Sequence, residues 1–124
     1  MNGRGRPAMP LDAIYANLAC ADLARSTAWF ETLLGRGPDA APMSGLVEWH
    51  HADRAGLQLH EDAAKAGQGT LTLLVPDLDG ERARLERAGW TVGPVEDADH
   101  TRILRLADPD GNLVVLAEPR PAGR

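Results

Sequence analysis

Residues 16–35, ANLACADLARSTAWFETLLG, and residues 71–89, LTLLVPDLDGERARLERAG, are two versions of one sentence. An offset of 55 superposes Leu18 on Leu73, Asp22 on Asp77, Leu23 on Leu78, Ala28 on Ala83 and Glu31 on Glu86. Each version runs from a short apolar stretch through Asp-Leu into a helical pattern and stops at Gly. The later segments correspond too: LQLHE (57–61) matches VVLAE (114–118) at an offset of 57. Two copies at so long a period indicate a duplicated unit rather than a solenoid.

Within a unit the local signals are ordinary physical chemistry. In the first unit, 13–20 reads as an apolar strand. Asp22 follows, a short acceptor able to take up free N–H groups in a first helical turn. Leu23, Thr27, Phe30 and Leu34 then fall on one helical stripe, and Gly35 is a C-terminal stop. Strands are expected at 46–51 and 57–61 around a turn at 52–56. The second unit predicts a strand at 70–75, a helix capped by Asp77 or Asp79 and ended by Gly89, and strands near 90–92 and at 101–106. A tight DPDGN turn (108–112) then leads into a closing strand at 113–117.

Composition sets outer bounds. The 124 residues suit one domain with a real core. We expect a flexible tail at 1–10, a domain over 11–119 made of modules 11–65 and 66–119, and a second flexible tail at 120–124. The net charge of −5, with basic residues scattered among acids, argues against a nucleic-acid partner. No apolar run has the length of a membrane span, and no signal peptide is visible. The one cysteine, Cys20, rules out an intrachain disulfide and fits a cytoplasmic protein.

Two βαβββ units over roughly 12–118, with CADLARSTAWFETLLG (20–35) and DPDGNLVVLAEP (108–119) as the most telling fragments, resemble the vicinal-oxygen-chelate superfamily, which includes glyoxalases, bleomycin-resistance proteins and extradiol dioxygenases. The resemblance implies an α+β fold of two tandem modules forming a cupped mixed sheet with helices outside. It also implies a homodimer with pockets between units. Metal-using relatives place four ligands on the first and last strands of the modules; the matching residues here are Tyr15, Gln58, Thr70 and Val115. That set has neither carboxylate nor imidazole, so no metal and no other cofactor is expected.

Strand alternation assigns Tyr15, Asn17, Gln58, His60, Thr70, Thr72 and Val115 to the cup as ligand-binding residues. Trp49 joins them as a flat surface for an aromatic ligand; its face and that of Trp90 are open to a one-residue slip of register. Only one of His50 and His51 can point inward. Asp108 and Asp110 read as turn chemistry, 96–100 (EDADH) as a solvated loop, and Arg102 and Arg105 as surface residues. The expected function is binding of a small molecule without a metal, of the drug-sequestering resistance type. The alternative is a lyase, isomerase or dioxygenase with a non-standard metal site or with Tyr15 or His60 in acid–base chemistry. An interaction module with a vestigial cup is the third reading.

Overall fold

The computed structural model describes residues 8–120. Both expected tails therefore lie mainly outside the described residues, at 1–7 and 121–124. The first module runs β1 (Ile14–Cys20), α1 (Leu23–Leu34), β2 (Ala40–Met43), β3 (Leu46–His51) and β4 (Ala55–Glu61). The second runs β5 (Thr70–Leu74), α2 (Leu78–Arg87), β6 (Glu96–Asp97), β7 (Thr101–Ala107) and β8 (Leu113–Pro119). The sheets have the same plan, β1-β4-β3-β2 and β5-β8-β7-β6, with the first and last strands of each module parallel and the rest antiparallel. β1 and β5 are the adjoining edges.

The repeat in the sequence is a repeat of capping devices. Asp22 accepts the N–H of Arg25 at 3.1 Å, and Asp77 that of Gly80 at 3.0 Å. The matched acids at the end of each last strand do a second, parallel job: Glu61 accepts from Leu23 N at 3.2 Å and Glu118 from Leu78 N at 2.8 Å. A helix start leaves four N–H groups without internal partners and carries partial positive charge, so carboxylates belong there. Gly35 closes α1 at φ 79°, a left-handed conformation that a Cβ would oppose, and its N–H returns to Glu31 O.

Both helices pack on the same side of their sheets, and the apolar residues beneath them form one core. Leu18, Leu57, Leu59 and Trp49 from the first sheet meet Leu71, Leu104, Leu106, Val114 and Leu116 from the second, with Phe30, Leu33, Leu78 and Leu85 above. Three polar contacts lock the modules together. Arg84 of α2 donates to the terminal carbonyls of α1, at Thr32 (2.8 Å) and Leu33, where a cation satisfies orphan acceptors and the helix dipole alike. Asp110 accepts from Ala21 N and from the side chains of Arg25 and Ser26, all at 3.3 Å. Asn112, fully buried, takes the N–H of Gly69 at 2.8 Å and gives its amide to Ala19 O at 3.0 Å and Asp108 at 2.8 Å. Asp108 and Asp110 thus serve the turn, as expected, and Asp110 also reaches across to the other module.

One expected strand does not form. Residues 90–92 are irregular, and the strand of this region is the two-residue β6 further along. Here side-chain burial outweighs strand pairing: Val92 enters the core, and Trp90 stacks on Trp29 with ring centroids 4.6 Å apart. The sequence had suggested a loop at 96–100, whose first two residues are instead β6; Glu96 pairs with Arg105 at 3.0 Å and Asp97 with Arg120.

Candidate functional site

The face of each sheet opposite its helix carries no helix. The registers fix its residues. In the first module Asn17 lies opposite Gln58, Gln58 opposite Glu48, Ala19 opposite His60 and Tyr15 opposite Gly56. In the second, Thr70 lies opposite Leu113, Thr72 opposite Val115, Val115 opposite Arg105 and Ala117 opposite Ile103. Leu18, Trp49, Leu57 and Leu59 in the first sheet and Leu71, Leu104, Leu106, Val114 and Leu116 in the second are the core residues of these strands and point to the helix side, so by alternation Tyr15, Asn17, Gln58 and His60 share one open face and Thr70, Thr72 and Val115 the other.

Trp49 is the exception among the sequence-derived ligand residues. It is fully buried under α1, packs against Phe30 with centroids 6.1 Å apart, and donates its indole N–H to Arg36 O at 2.9 Å. It cannot line the open face. The WHH run settles in the register that sinks the largest apolar ring, because burying an indole gains more than burying an imidazole. That register decides its neighbours as well: Glu48 and His50 emerge on the open face, and His51 turns toward the helix side.

Glu48 was missed from the sequence. Its signal was alternation with Trp49, visible only once that residue's face is known. Its side chain is 14% exposed and sits at the middle of a hydrogen-bonded row. Asn17 Nδ2 donates to Gln58 Oε1 at 3.1 Å, Gln58 Nε2 donates to Glu48 Oε2 at 2.6 Å, and His50 Nε2 lies 3.1 Å from Glu48 Oε1. The bonds from Gln58 and His50 stabilise the charged form and hold the Glu48 carboxyl below its usual range. Tyr15 stands edge-on to His50 at 5.8 Å. Its ring lies directly over Gly56, where a Cβ would come within 2.6 Å of it, so Gly at 56 makes the space that Tyr15 occupies. His60 Nδ1 is buried without a hydrogen-bond partner among the described residues.

The second module's open face differs. Leu74, Leu113, Val115 and Ile103 give it an apolar surface, with hydroxyls at Thr70, Thr72 and Thr101 and with the self-paired Arg105 and Glu96 at its edge. Arg102 is turned to the helix side, held by Asp79 at 2.9 Å and near Glu118. Between the start of β1 and the end of β5 lies an apolar cleft of about 650 Å³, lined by Ile14, Ala16, Leu34, Leu57, Leu73 and Leu74 among others.

The four positions that correspond to family metal ligands, Tyr15, Gln58, Thr70 and Val115, do not make a donor set for a divalent ion: Val115 has no ligating atom and Gln58 is committed to Asn17 and Glu48. Among the described residues no group of three or more His, Cys, Asp or Glu is arranged to hold a metal. Cys20 is buried, donates to His60 O at 3.5 Å, and has its thiol pKa raised by burial, which makes it a packing residue rather than a nucleophile.

Comparison with known proteins agrees with this architecture. The family model of the glyoxalase-like domain matches residues 14–117. A glyoxalase/bleomycin resistance protein from Catenulispora acidiphila has a similar structure, with 28% identity, a TM-score of 0.79, and coverage of 88% of this chain and 98% of that one. TnmS3, an antibiotic binding protein from Streptomyces, superposes with a TM-score of 0.74 at 22% identity, over 90% of this chain and 97% of its own. A glyoxalase/bleomycin resistance protein/dioxygenase from Nocardioides gives 0.72 at 18% identity, over 95% and 89%. At those lower identities the likeness concerns the fold alone. No curated protein matches the chain.

Proposed function

The chain belongs to the glyoxalase-like domain family, and from that premise we propose that it binds a small molecule on the open faces of its two modules without a metal, in the manner of a drug-sequestering protein. The observation that carries the reading is the pairing of a polar face with an apolar one. A few fixed polar groups beside a larger apolar surface are what a small-molecule site needs, the first for orientation and the second for affinity. The antibiotic-binding function of TnmS3, on the same fold, supports it. The exposed Ile14 and Leu74 and the apolar cleft beside them support a homodimer, in which a second copy covers this surface. Among the described residues no helix is long and apolar enough to cross a membrane. The single buried thiol supports a cytoplasmic location, which cell fractionation checks.

A second reading, acid–base catalysis without a metal, draws on His50, whose ring is held by a carboxylate while standing at the surface of the open face. Loss of a measured turnover in His50→Gln would establish it.

The test is made on purified protein incubated with nickel, zinc, iron(II) or manganese and then desalted. Elemental analysis is expected to give metal contents near zero, and sedimentation the mass of two chains. A tight, near-stoichiometric metal overturns the metal-free reading. A monomer mass removes the dimer.

A further inference from the structure

The row on the first module's open face has a direction that chemistry alone imposes. Glu48 is ionised and has only acceptors to offer. Gln58 must therefore turn its amide nitrogen to Glu48, at 2.6 Å, which leaves its oxygen for Asn17. Asn17 must in turn donate, at 3.1 Å, and its Oδ1 is left over. On the other side His50 Nε2 lies 3.1 Å from Glu48, and since an ionised carboxylate can only accept, the ring donates there; in the neutral form of the ring the lone pair is then on Nδ1. Among the described residues neither Asn17 Oδ1 nor His50 Nδ1 makes a hydrogen bond within the protein. The row thus presents an acceptor at each end, Asn17 Oδ1 lying beside the second N–H of its own amide, and with His50 neutral it carries a net negative charge at its middle. Neighbouring charges do not cancel it. Arg36 is spent on Asp39 and on the His50 carbonyl, Asp39 accepts the His50 backbone N–H, and His51 faces the other side of the sheet. On the second module's face Arg105 is neutralised by Glu96 at 3.0 Å.

Resting on the ligand-binding reading above, we propose that the ligand carries a hydrogen-bond-donating head group, an ammonium above a hydroxyl, which seats against Glu48 between Asn17 Oδ1 and His50 Nδ1. Its body is apolar and lies against a surface of the kind formed by Leu74, Leu113 and Val115. An anionic head group meets the like charge of Glu48 at the middle of the row, where the second N–H of Asn17 Nδ2 and of Gln58 Nε2 offers only neutral donors, and it binds more weakly. Donation to a charged acceptor is stronger than donation to a neutral one, which ranks ammonium first.

The experiment titrates isotope-labelled full-length protein with three probes that share one apolar body: 2-phenylethylamine, 2-phenylethanol and phenylacetate. Backbone amide shifts locate and quantify binding. The expected result is perturbation of β1, β3 and β4 in the order amine, alcohol, carboxylate, with roughly tenfold between the first and last. Glu48→Gln, which keeps the shape but can donate, is expected to bring the amine and the carboxylate within about twofold. His50→Phe, at an exposed position, is expected to weaken the amine without helping the carboxylate. Phenylacetate binding these strands as tightly as the amine overturns the donor rule and leaves the small-molecule reading standing. Shifts confined to β5, β7 and β8 do the same. Absence of shifts on either open face with any probe overturns both.

Discussion

The two modules share a backbone plan and diverge in what they do with it. The first keeps a polar row on its open face and joins β3 to β4 through an exposed turn, 52–54. The second leaves its open face apolar and builds its corresponding turn, 108–112, into the structure, with Asn112 buried and Asp110 engaging the first module. The duplicated features are the helix caps, Asp22 with Glu61 and Asp77 with Glu118. Local structure is thus common to both copies, the polar row belongs to the first, and the joint between modules is built by the turn of the second.

The largest break in that division of labour is expected from Asn112→Ala. It strips partners from the Gly69 N–H and the Ala19 carbonyl in a buried site and should cost about 3 kcal/mol in denaturant unfolding. Arg54→Ala, in the first module's turn, should stay within about 0.5 kcal/mol. Equal effects would mean that the turns are equivalent after all. A middle effect belongs to Arg84→Ala, which unseats the guanidinium from the α1 carbonyls at Thr32 and Leu33. About 1.5 kcal/mol is expected, against little for the exposed Arg87→Ala on the same helix. No difference between the two would show that the modules dock through apolar contact alone.

The smallest effect is a pH dependence carried by the first module. Burial, together with the positive charge of Arg36, pushes the His51 pKa below its ordinary value. Below about pH 6.5 the unfolded chain therefore takes up a proton at this residue that the folded one resists. Its contribution to stability is complete above that pH and is lost as pH falls toward the depressed folded value. His51→Asn should flatten the Tm curve between about pH 7 and 5.5 by about 2 °C, and an unchanged slope would locate the proton uptake elsewhere.

Much of the make-up of the open faces was readable from the sequence. Tyr15, Asn17, Gln58 and His60, and Thr70, Thr72 and Val115, lie on the open faces because period-two alternation is a property of the strand itself. Trp49 and Glu48 were not readable, for one shared reason. In Glu48-Trp49-His50-His51 several side chains compete for the core, and nothing local says which wins. The supposed strand at 90–92 failed for a related reason, since the demand of Trp29 for a stacking partner lies 61 positions away in the chain.

The sequence alone determined the duplicated plan, the helix caps and stops, the faces of the unambiguous strands, and the lack of a metal-ligating set at the four family positions. These follow from forces acting within a few residues, or from identity of side chain. The tertiary structure decided the face of Trp49, the emergence of Glu48 and His50, the hydrogen-bonded row across β1, β4 and β3, and the stitching of modules by Arg84, Asp110 and Asn112. Those contacts join residues distant in the chain, and their energies exist only after the core has fixed which strands are neighbours and in what register.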